Sequence, residues 1–289
     1  MRLIFEAEGQ SWPLRLTGAA PQTTAALLAA LPMPLQLHTP KIAGSHIYWH
    51  APFVRDVEGA THVLDAAPGA FIYWPVRQFL EITFAPLQAE TASVTVLGHL
   101  DASIEGIAAL AAVLKGDQGR RMLTGTLRRE DGAVVAPVAS AVPEPLVALR
   151  RAMWAGCPAD VAALTGSRAI MHPAGPVFMA ESEARVLHEA LWWVRAELGR
   201  AADGQLRATA AMALDHAAVR LRDFCHFTTS ADALFAFRDA MAGPAPLSAL
   251  IDEAIMTAGR LAAWIDLLIP WNDVNEAFRT ALDTAEKAA

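Results

Sequence analysis

The residues best suited to chemistry lie in two short β-rich segments of the first hundred positions. Both tyrosines of the chain occur there, each inside an Ile-Tyr-Trp triplet, at 47–49 and at 72–74. In the first segment, GSHIYWHAPFVRD, the alternation of a strand places His46, Tyr48 and His50 on one face. A face with two imidazoles and a phenol makes a poor core. We therefore expect a pocket wall, the alternative being a strand surface that faces solvent.

The second segment, FIYWPVRQFLEITFAPL, adds charged groups. Strand alternation places Arg77, Phe79 and Glu81 on one face and apolar residues on the other, although Pro75 permits a bulge that would shift the register. Arginine binds carboxylates in a two-pronged fashion, and a carboxylate can accept a proton. The alternative interpretation is an exposed ion pair between Arg77 and Glu81.

Several chemistries lack their sequence motifs. Neither GxGxxG nor GxxxxGK occurs, so we expect no nicotinamide or nucleotide cofactor. His188 and Glu189 match the start of the zinc-binding HExxH motif, but Trp192 stands where its second histidine would be, so no zinc site is predicted. We expect His188 to lie at the surface or near a helix end. The two cysteines, Cys157 and Cys225, form no CxxC pair, so free thiols are expected and no cofactor or metal is predicted.

Composition narrows the class of protein further. The net charge is −7 and the chain has three lysines, so it lacks the basic cluster of a nucleic-acid surface. Hydrophobic residues make up 54% of the sequence, yet no uncharged run reaches the ~20 residues that span a bilayer. Glu6 and Glu8 interrupt the apolar stretch that a signal peptide would need. We therefore expect a cytoplasmic protein that binds neither nucleic acid nor membrane.

The candidate residues lie in a β-rich part of the chain that a helical part follows. Glycines and prolines punctuate short β-branched and aromatic runs up to residue 116, which predicts a strand domain over 1–116. The stretch 117–144 is interpreted as a linker with one uncertain hairpin around Asp131-Gly132, and 145–289 as a helical bundle. Helices are expected near residues 145–155, 158–164, 182–201, 205–224, 231–241, 246–268 and 271–286.

The first hundred residues resemble the small bacterial cyclophilin-like domains. In those domains a glycine-led Tyr-Trp-Pro strand precedes an apolar strand with a Phe-x-Pro turn, and a valine-rich strand ending in glycine follows. Val76 and Arg77 stand where a Pro-Gly turn is more usual, and the prolyl-isomerase signature is missing, so isomerase activity is not implied. The resemblance implies an α+β fold with an N-terminal cyclophilin-like β-barrel followed by an all-α helical bundle. The matching residues are Gly69, Tyr73, Trp74, Pro75, Phe84, Pro86 and Gly98.

A cyclophilin-like domain joined to a helical bundle is similar to the cucumopine and mikimopine synthases. That resemblance implies condensation of a histidine-like amine with a 2-keto acid by a Pictet–Spengler-type ring closure, without hydride transfer. Proton transfer would then fall to His50 or His46, with Glu81 as a second base. Tyr48 and Tyr73 would supply orienting or donating hydroxyls, and Arg77 and Arg55 would bind the substrate carboxylates. Trp49 and Trp74 would wall the pocket, with core packing as the alternative for both tryptophans.

Two rival interpretations remain from the sequence. In one, the protein is a non-catalytic binder of a small acid, and the helical half forms a homo-oligomer. In the other, the helical half is a scaffold for an enzyme with an unrelated substrate. We expect the polar face of the first segment to lie on the outside of the barrel, covered by the helical half. Histidine, tyrosine and arginine side chains that converge in the largest cleft would favour catalysis, and an apolar cleft would favour binding.

Overall fold

The computed structural model describes residues 1–41, 44–88, 91–136, 140–168 and 174–288. Within these ranges the N-terminal part folds into one antiparallel sheet of nine strands. The strands are β1 (Arg2–Ala7), β2 (Gln10–Leu16), β3 (Met33–Gln36), β4 (His46–His50), β5 (Ala60–His62), β6 (Ala70–Trp74), β7 (Phe79–Thr83), β8 (Ser93–Leu100) and β9 (Thr124–Arg129).

The sheet curls into a nearly closed barrel. Its strand order is β3-β9-β1-β2-β8-β6-β7-β4, and β5 pairs with β8. The two ends meet just after β3, where the amide of His38 donates to the carbonyl of Tyr48 at 2.9 Å and the amide of Tyr48 donates back at 3.1 Å. This closure brings His38 beside β4.

Most of the helices follow the barrel. The first two, α1 and α2, lie within the barrel part of the sequence, and α2 buries Ile107, Leu110 and Leu114 in the barrel core. The helices in the described ranges are α1 (Pro21–Ala29), α2 (Ile104–Asp117), α3 (Glu144–Ala155), α4 (Ala159–Gly166), α5 (Ala174–Ala196), α6 (Asp203–Cys225), α7 (Thr228–Ala240), α8 (Leu247–Leu268) and α9 (Trp271–Ala288).

The architecture confirms the expected α+β class, an N-terminal strand barrel followed by a helical bundle. It differs from the expectation within 117–144. Strand β9 lies there and pairs with both β1 and β3, while the described residues after the turn, 132–136, form no strand. β9 occupies the first arm of the expected hairpin, but only its Leu127 is fully buried, so the local pattern does not indicate which strands it pairs with. The neighbouring strands, which are distant in sequence, fix its conformation.

Helix α8 is the centre of the bundle. It is buried over most of its length, and α3, α5 and α7 pack around it. Among the helices of the described residues, none combines the length and the hydropathy needed to cross a bilayer. The buried face of α8 includes Glu253, Arg260 and Asp266. Each of these buried charged groups has a polar partner: Arg150 for Glu253, Gln36 for Arg260 and His38 for Asp266.

The barrel and the bundle approach each other closely at Gly259 of α8. Gln78, a fully buried residue in the left-handed conformation (φ 56°), accepts at Oε1 from His188 Nε2 of α5 at 3.2 Å. A Cβ at Gly259 would lie 2.6 Å from that same Oε1. The expectation that His188 lies at the surface is therefore wrong, because the face of α5 that carries it packs on the barrel.

This close approach gives the first prediction. Gly259→Val is expected to lower the free energy of unfolding by about 2 kcal/mol or more, because the new side chain overlaps Gln78 and His188. Urea unfolding followed by circular dichroism measures the change. Gly116→Val in α2 is the matched control, since nothing lies within 4 Å of a Cβ there. Equal losses in the two variants would contradict the tight contact.

Candidate functional site

A cleft of about 630 Å³ lies between the outer face of the barrel and the helical half. Strands β4, β6 and β7 and the turn between the last two supply one wall, formed by His46, Tyr48, Trp74, Arg77, Phe79 and Glu81. The loop before β4 and helices α5 and α9 supply the other wall, which includes Lys41, Glu181, Arg185, Trp271, Asn272, Asn275 and Phe278.

Strand alternation explains the barrel wall. Ile47 and Trp49 point into the barrel core, so the residues between them face outward. In the antiparallel register of β4 and β7, Tyr48 lies directly opposite Glu81. Cross-strand neighbours on one face have side chains in contact range. A phenol and a carboxylate from two strands therefore meet in the cleft.

The structure brings together five of the nine residues that the sequence proposed for the site. His46, Tyr48 and Glu81 line the cleft, and Trp74 and Arg77 line it with them. The Arg77 guanidinium lies 5.8 Å from the centroid of the Trp74 ring. The cation and the indole thus form one corner of the cleft.

The structure places the other four residues outside the cleft lining. Trp49 stacks on Phe5 inside the barrel, with ring centroids 5.3 Å apart. The Tyr73 hydroxyl accepts from the Arg55 amide at 3.1 Å, away from the cleft. Tyr73 takes this position because its strand, β6, turns it toward the barrel core.

His50 shares a face with Tyr48 but lies deeper. Its ring packs edge-on against Phe79, with centroids 4.8 Å apart, and 5.4 Å from the ring of His38. Burial lowers the pKa of His50 well below its usual range, so this imidazole is neutral. It forms part of a buried layer beneath the cleft wall.

The groups best placed for proton transfer are His46 and Glu81. His46 Nε2 lies 3.8 Å from a carboxylate oxygen of Glu81, whose side chain is fully buried. Burial lowers the pKa of His46 to about 4, so its ring is neutral near pH 7. Burial also raises the pKa of Tyr48 to about 12, which keeps its hydroxyl protonated. The wall thus combines a carboxyl group, a neutral imidazole and a phenol.

The sequence interpretation missed four charged residues on the opposite side: Lys41, Glu181 and Arg185 line the cleft, and Asp266 is buried behind them. We call Lys41, Glu181, Arg185 and Asp266 the charge cluster. Arg185 donates to Glu181 and lies 3.3 Å from Asp266 Oδ1. The Lys41 ammonium contacts Asp266 and lies 3.7 Å from Glu181 Oε1. The charge cluster therefore pairs two basic side chains with two acidic ones.

One sequence signal pointed to part of this cluster. Glu181 and Arg185 are four residues apart on a helix, a spacing typical of a surface ion pair. Nothing in the sequence distinguishes that common arrangement from one facing a cleft. Asp266 is even less visible, because it lies near the end of a helix that is otherwise mostly apolar.

Asp266 joins the charge cluster to the buried layer. Its side chain is 2% exposed, and His38 Nδ1 lies 3.0 Å from its Oδ2. The Trp271 indole NH donates to its Oδ1 at 3.2 Å. The His38 ring stacks on Tyr48, with centroids 4.9 Å apart. A continuous polar path thus runs from the charge cluster to the barrel wall.

Among the residues that the structure describes, no three or more histidine, cysteine or carboxylate side chains group as metal ligands would. What the cleft offers to a small molecule is a set of proton donors and acceptors, cationic groups and aromatic walls.

No protein-family model matches the sequence, and no curated protein matches it significantly. Among solved structures, McbB in complex with tryptophan is similar, with a TM-score of 0.75 and 14% sequence identity over 95% of this chain and 99% of McbB. The solution structure of the hypothetical protein AF2241 from Archaeoglobus fulgidus has a TM-score of 0.34 and 20% identity over 45% of this chain and 94% of its own, too low to support an argument. The chain thus shares the fold of McbB, a barrel followed by helices, over nearly the full length of both proteins.

Proposed function

We propose that this protein is a condensing enzyme that joins a histidine-like aromatic amine to a 2-keto acid by a Pictet–Spengler-type cyclisation. The observation that carries the proposal is the buried Glu81 carboxyl group beside His46, at the floor of a cleft that also has cationic groups and aromatic walls. A carboxylate in this position is suited to accept a proton from a ring carbon of the bound substrate.

The reaction assigns a task to each part of the barrel wall. An imine forms between the amine and the keto acid with loss of water, and the aromatic ring of the amine then attacks the imine carbon. The ring carbon that formed the new bond finally loses its proton. Glu81 accepts that proton in the proposal, His46 relays it, and Tyr48 donates a hydrogen bond to the developing charge.

Binding groups surround these three residues. Arg77 is the proposed partner of the keto-acid carboxylate, because a guanidinium binds a carboxylate through two parallel hydrogen bonds. Trp74, Phe79 and Trp271 supply flat surfaces for an aromatic amine. McbB, which has the same fold, was solved with tryptophan, and this supports an aromatic amino acid as the amine.

A turnover experiment tests the proposal. The protein is incubated with 2-oxoglutarate and either histidine or tryptophan, and products are analysed by mass spectrometry. We expect an acid-stable product with the summed mass of the substrates less one water. With a ring-deuterated amine, that product lacks one deuterium, which separates it from a simple imine. Saturable binding of both substrates without any such product would favour the non-catalytic alternative.

A second prediction concerns substrate affinity. Arg77→Met is expected to raise the KM for the keto acid about 10-fold or more, because it removes a charge-assisted hydrogen bond worth about 1.5–3 kcal/mol. The kcat is expected to change less, since Arg77 does not handle the transferred proton. Initial-rate kinetics at saturating amine measure both. Arg200→Met, at an exposed position outside the cleft lining, is the control. An unchanged KM in Arg77→Met would remove this arginine from the site.

A further inference from the structure

Lys41 has an unusual setting for a lysine. Only 17% of its side chain is exposed, and its ammonium group lies among the side chains of two helices and the residue that begins a third. Glu181, Arg185 and Asp266 face it, and its Nζ lies 4.5 Å from the centroid of the Trp271 ring. A lysine that served only solubility would extend into water.

The position of Lys41 also connects it to the proton-transfer residues. It lines the same cleft as His46 and Glu81. A Cβ at Gly44 would lie within 3 Å of both the His46 ring and Pro40, the residue before Lys41. Pro40 and Gly44 therefore lie close to the His46 ring of the barrel wall. A carbonyl carbon bound in the cleft can then meet Nζ of Lys41 from one side and the barrel wall from the other.

We propose that Lys41 is a covalent catalytic residue, whose amine forms an imine with the keto acid before the substrate amine replaces it. The proposal rests on the proposed function for the identity of the carbonyl substrate. It adds a nucleophile that the motifs of the sequence did not indicate.

The reaction passes through an imine on Lys41 and releases one molecule of water. The Lys41 ammonium gives one proton to the Asp266 carboxylate, and the neutral Nζ attacks the keto carbon. The keto oxygen takes one proton from the newly bonded nitrogen and a second from the Asp266 carboxyl group, and it leaves as water, so that a protonated imine remains. The amine of the aromatic substrate then adds to the imine carbon, and Lys41 leaves as the free amine. The sum is amine plus keto acid giving imine plus water, with no oxidant or reductant.

The surroundings of Lys41 favour the neutral amine that this step requires. Burial, followed by the nearby Arg185 guanidinium, lowers the pKa of Lys41 to about 7, although Glu181 opposes the shift. A lysine that is partly neutral near pH 7 is a far better nucleophile than an exposed one. The carboxylates of Glu181 and Asp266 lie in place to receive and return its proton.

Reductive trapping tests the proposal on the unaltered protein. The protein is incubated with 2-oxoglutarate and borohydride, without any amine substrate, and its peptides are mapped by mass spectrometry. We expect the Lys41 peptide to gain the mass of the keto acid less one oxygen, with labelling that saturates as the keto acid increases. Lys115, which is exposed, is the internal control and should show only a linear background.

The outcomes separate this inference from the proposed function. A ring-closed product in the turnover assay, together with Lys41 labelled no more than Lys115, would overturn the inference and leave the function intact. Saturable labelling of Lys41 without any ring-closed product would support the inference and count against the proposed amine chemistry. Lys41→Arg keeps the cation but cannot form the imine, so it should lose labelling and turnover together. Wild-type turnover in a folded Lys41→Arg variant would also overturn the inference.

Discussion

Glu81→Gln is expected to lower the turnover number for ring-closed product by about 10²- to 10⁴-fold, the usual contribution of a positioned acid or base. The substitution keeps the size of the side chain and removes its ability to accept a proton. Glu81 is buried in the barrel wall of the cleft and lies 3.8 Å from His46, so its carboxylate is shielded from bulk water that could otherwise accept the proton. Affinity for the two substrates is expected to stay near the wild-type value.

The measurement is initial-rate kinetics with product detected by mass spectrometry. Glu189→Gln is the matched control, because Glu189 is exposed on α5 and does not line the cleft. If loss of the ring proton limits the rate in Glu81→Gln, a ring-deuterated amine will react more slowly than the ordinary one. Wild-type turnover in Glu81→Gln would exclude this residue as the base and transfer the role to His46.

The barrel side of the cleft was largely predictable from local pattern. In strand β4 the alternation of polar and apolar residues is strict, so the sequence alone separates His46 and Tyr48 from the residues of the barrel core. The same rule applied to β7 predicts the outward position of Glu81. The register in which Tyr48 faces Glu81 depends on pairing between separate strands, and local alternation does not specify it.

Tyr73 shows the limit of analogy between two similar triplets. Both tyrosines follow an isoleucine and precede a tryptophan, which suggested that both hydroxyls face the cleft. The pairing of β6 with β7 places Tyr73 opposite Leu80, an inward-facing residue. In the triplet of β6 the tryptophan, Trp74, lines the cleft, whereas in the triplet of β4 the tyrosine, Tyr48, does so.

The helical side of the cleft was not predictable for a different reason. The charge cluster there combines Lys41, which precedes β4, with residues of α5 and of the end of α8, and only tertiary packing brings these together. Each one alone is typical of a solvated helix face or a surface loop. The lowered pKa of Lys41 arises from burial among side chains of α5, α8 and the first residue of α9. Burial of this kind depends on how the bundle docks on the barrel.

The docking of the bundle also buries several imidazoles, and this leads to the last prediction. His188 lies against Gln78, and burial lowers its pKa to about 3, while burial lowers that of His46 to about 4. In the unfolded chain a histidine titrates near 6.5. The folded protein therefore binds fewer protons than the unfolded chain at any pH between these values. Stability is then fully present above about pH 6.5 and is lost as the pH falls toward the folded values.

We expect the free energy of unfolding to fall by at least about 4 kcal/mol between about pH 7 and about pH 4.5, because burial also lowers the pKa values of His38 and His50. His188 accounts for about 2 kcal/mol of that loss. Urea unfolding at the two pH values measures it. His188→Gln keeps an amide donor toward Gln78 but does not titrate, so the pH-dependent loss should shrink by about 2 kcal/mol. Carboxylates paired in the folded state also weaken it at low pH, but they do so equally in both proteins and cancel in the comparison. His99→Gln, at an exposed position on β8, should retain the full loss. The same pH dependence in His188→Gln and the wild type would show that this imidazole is not held neutral by burial against the barrel.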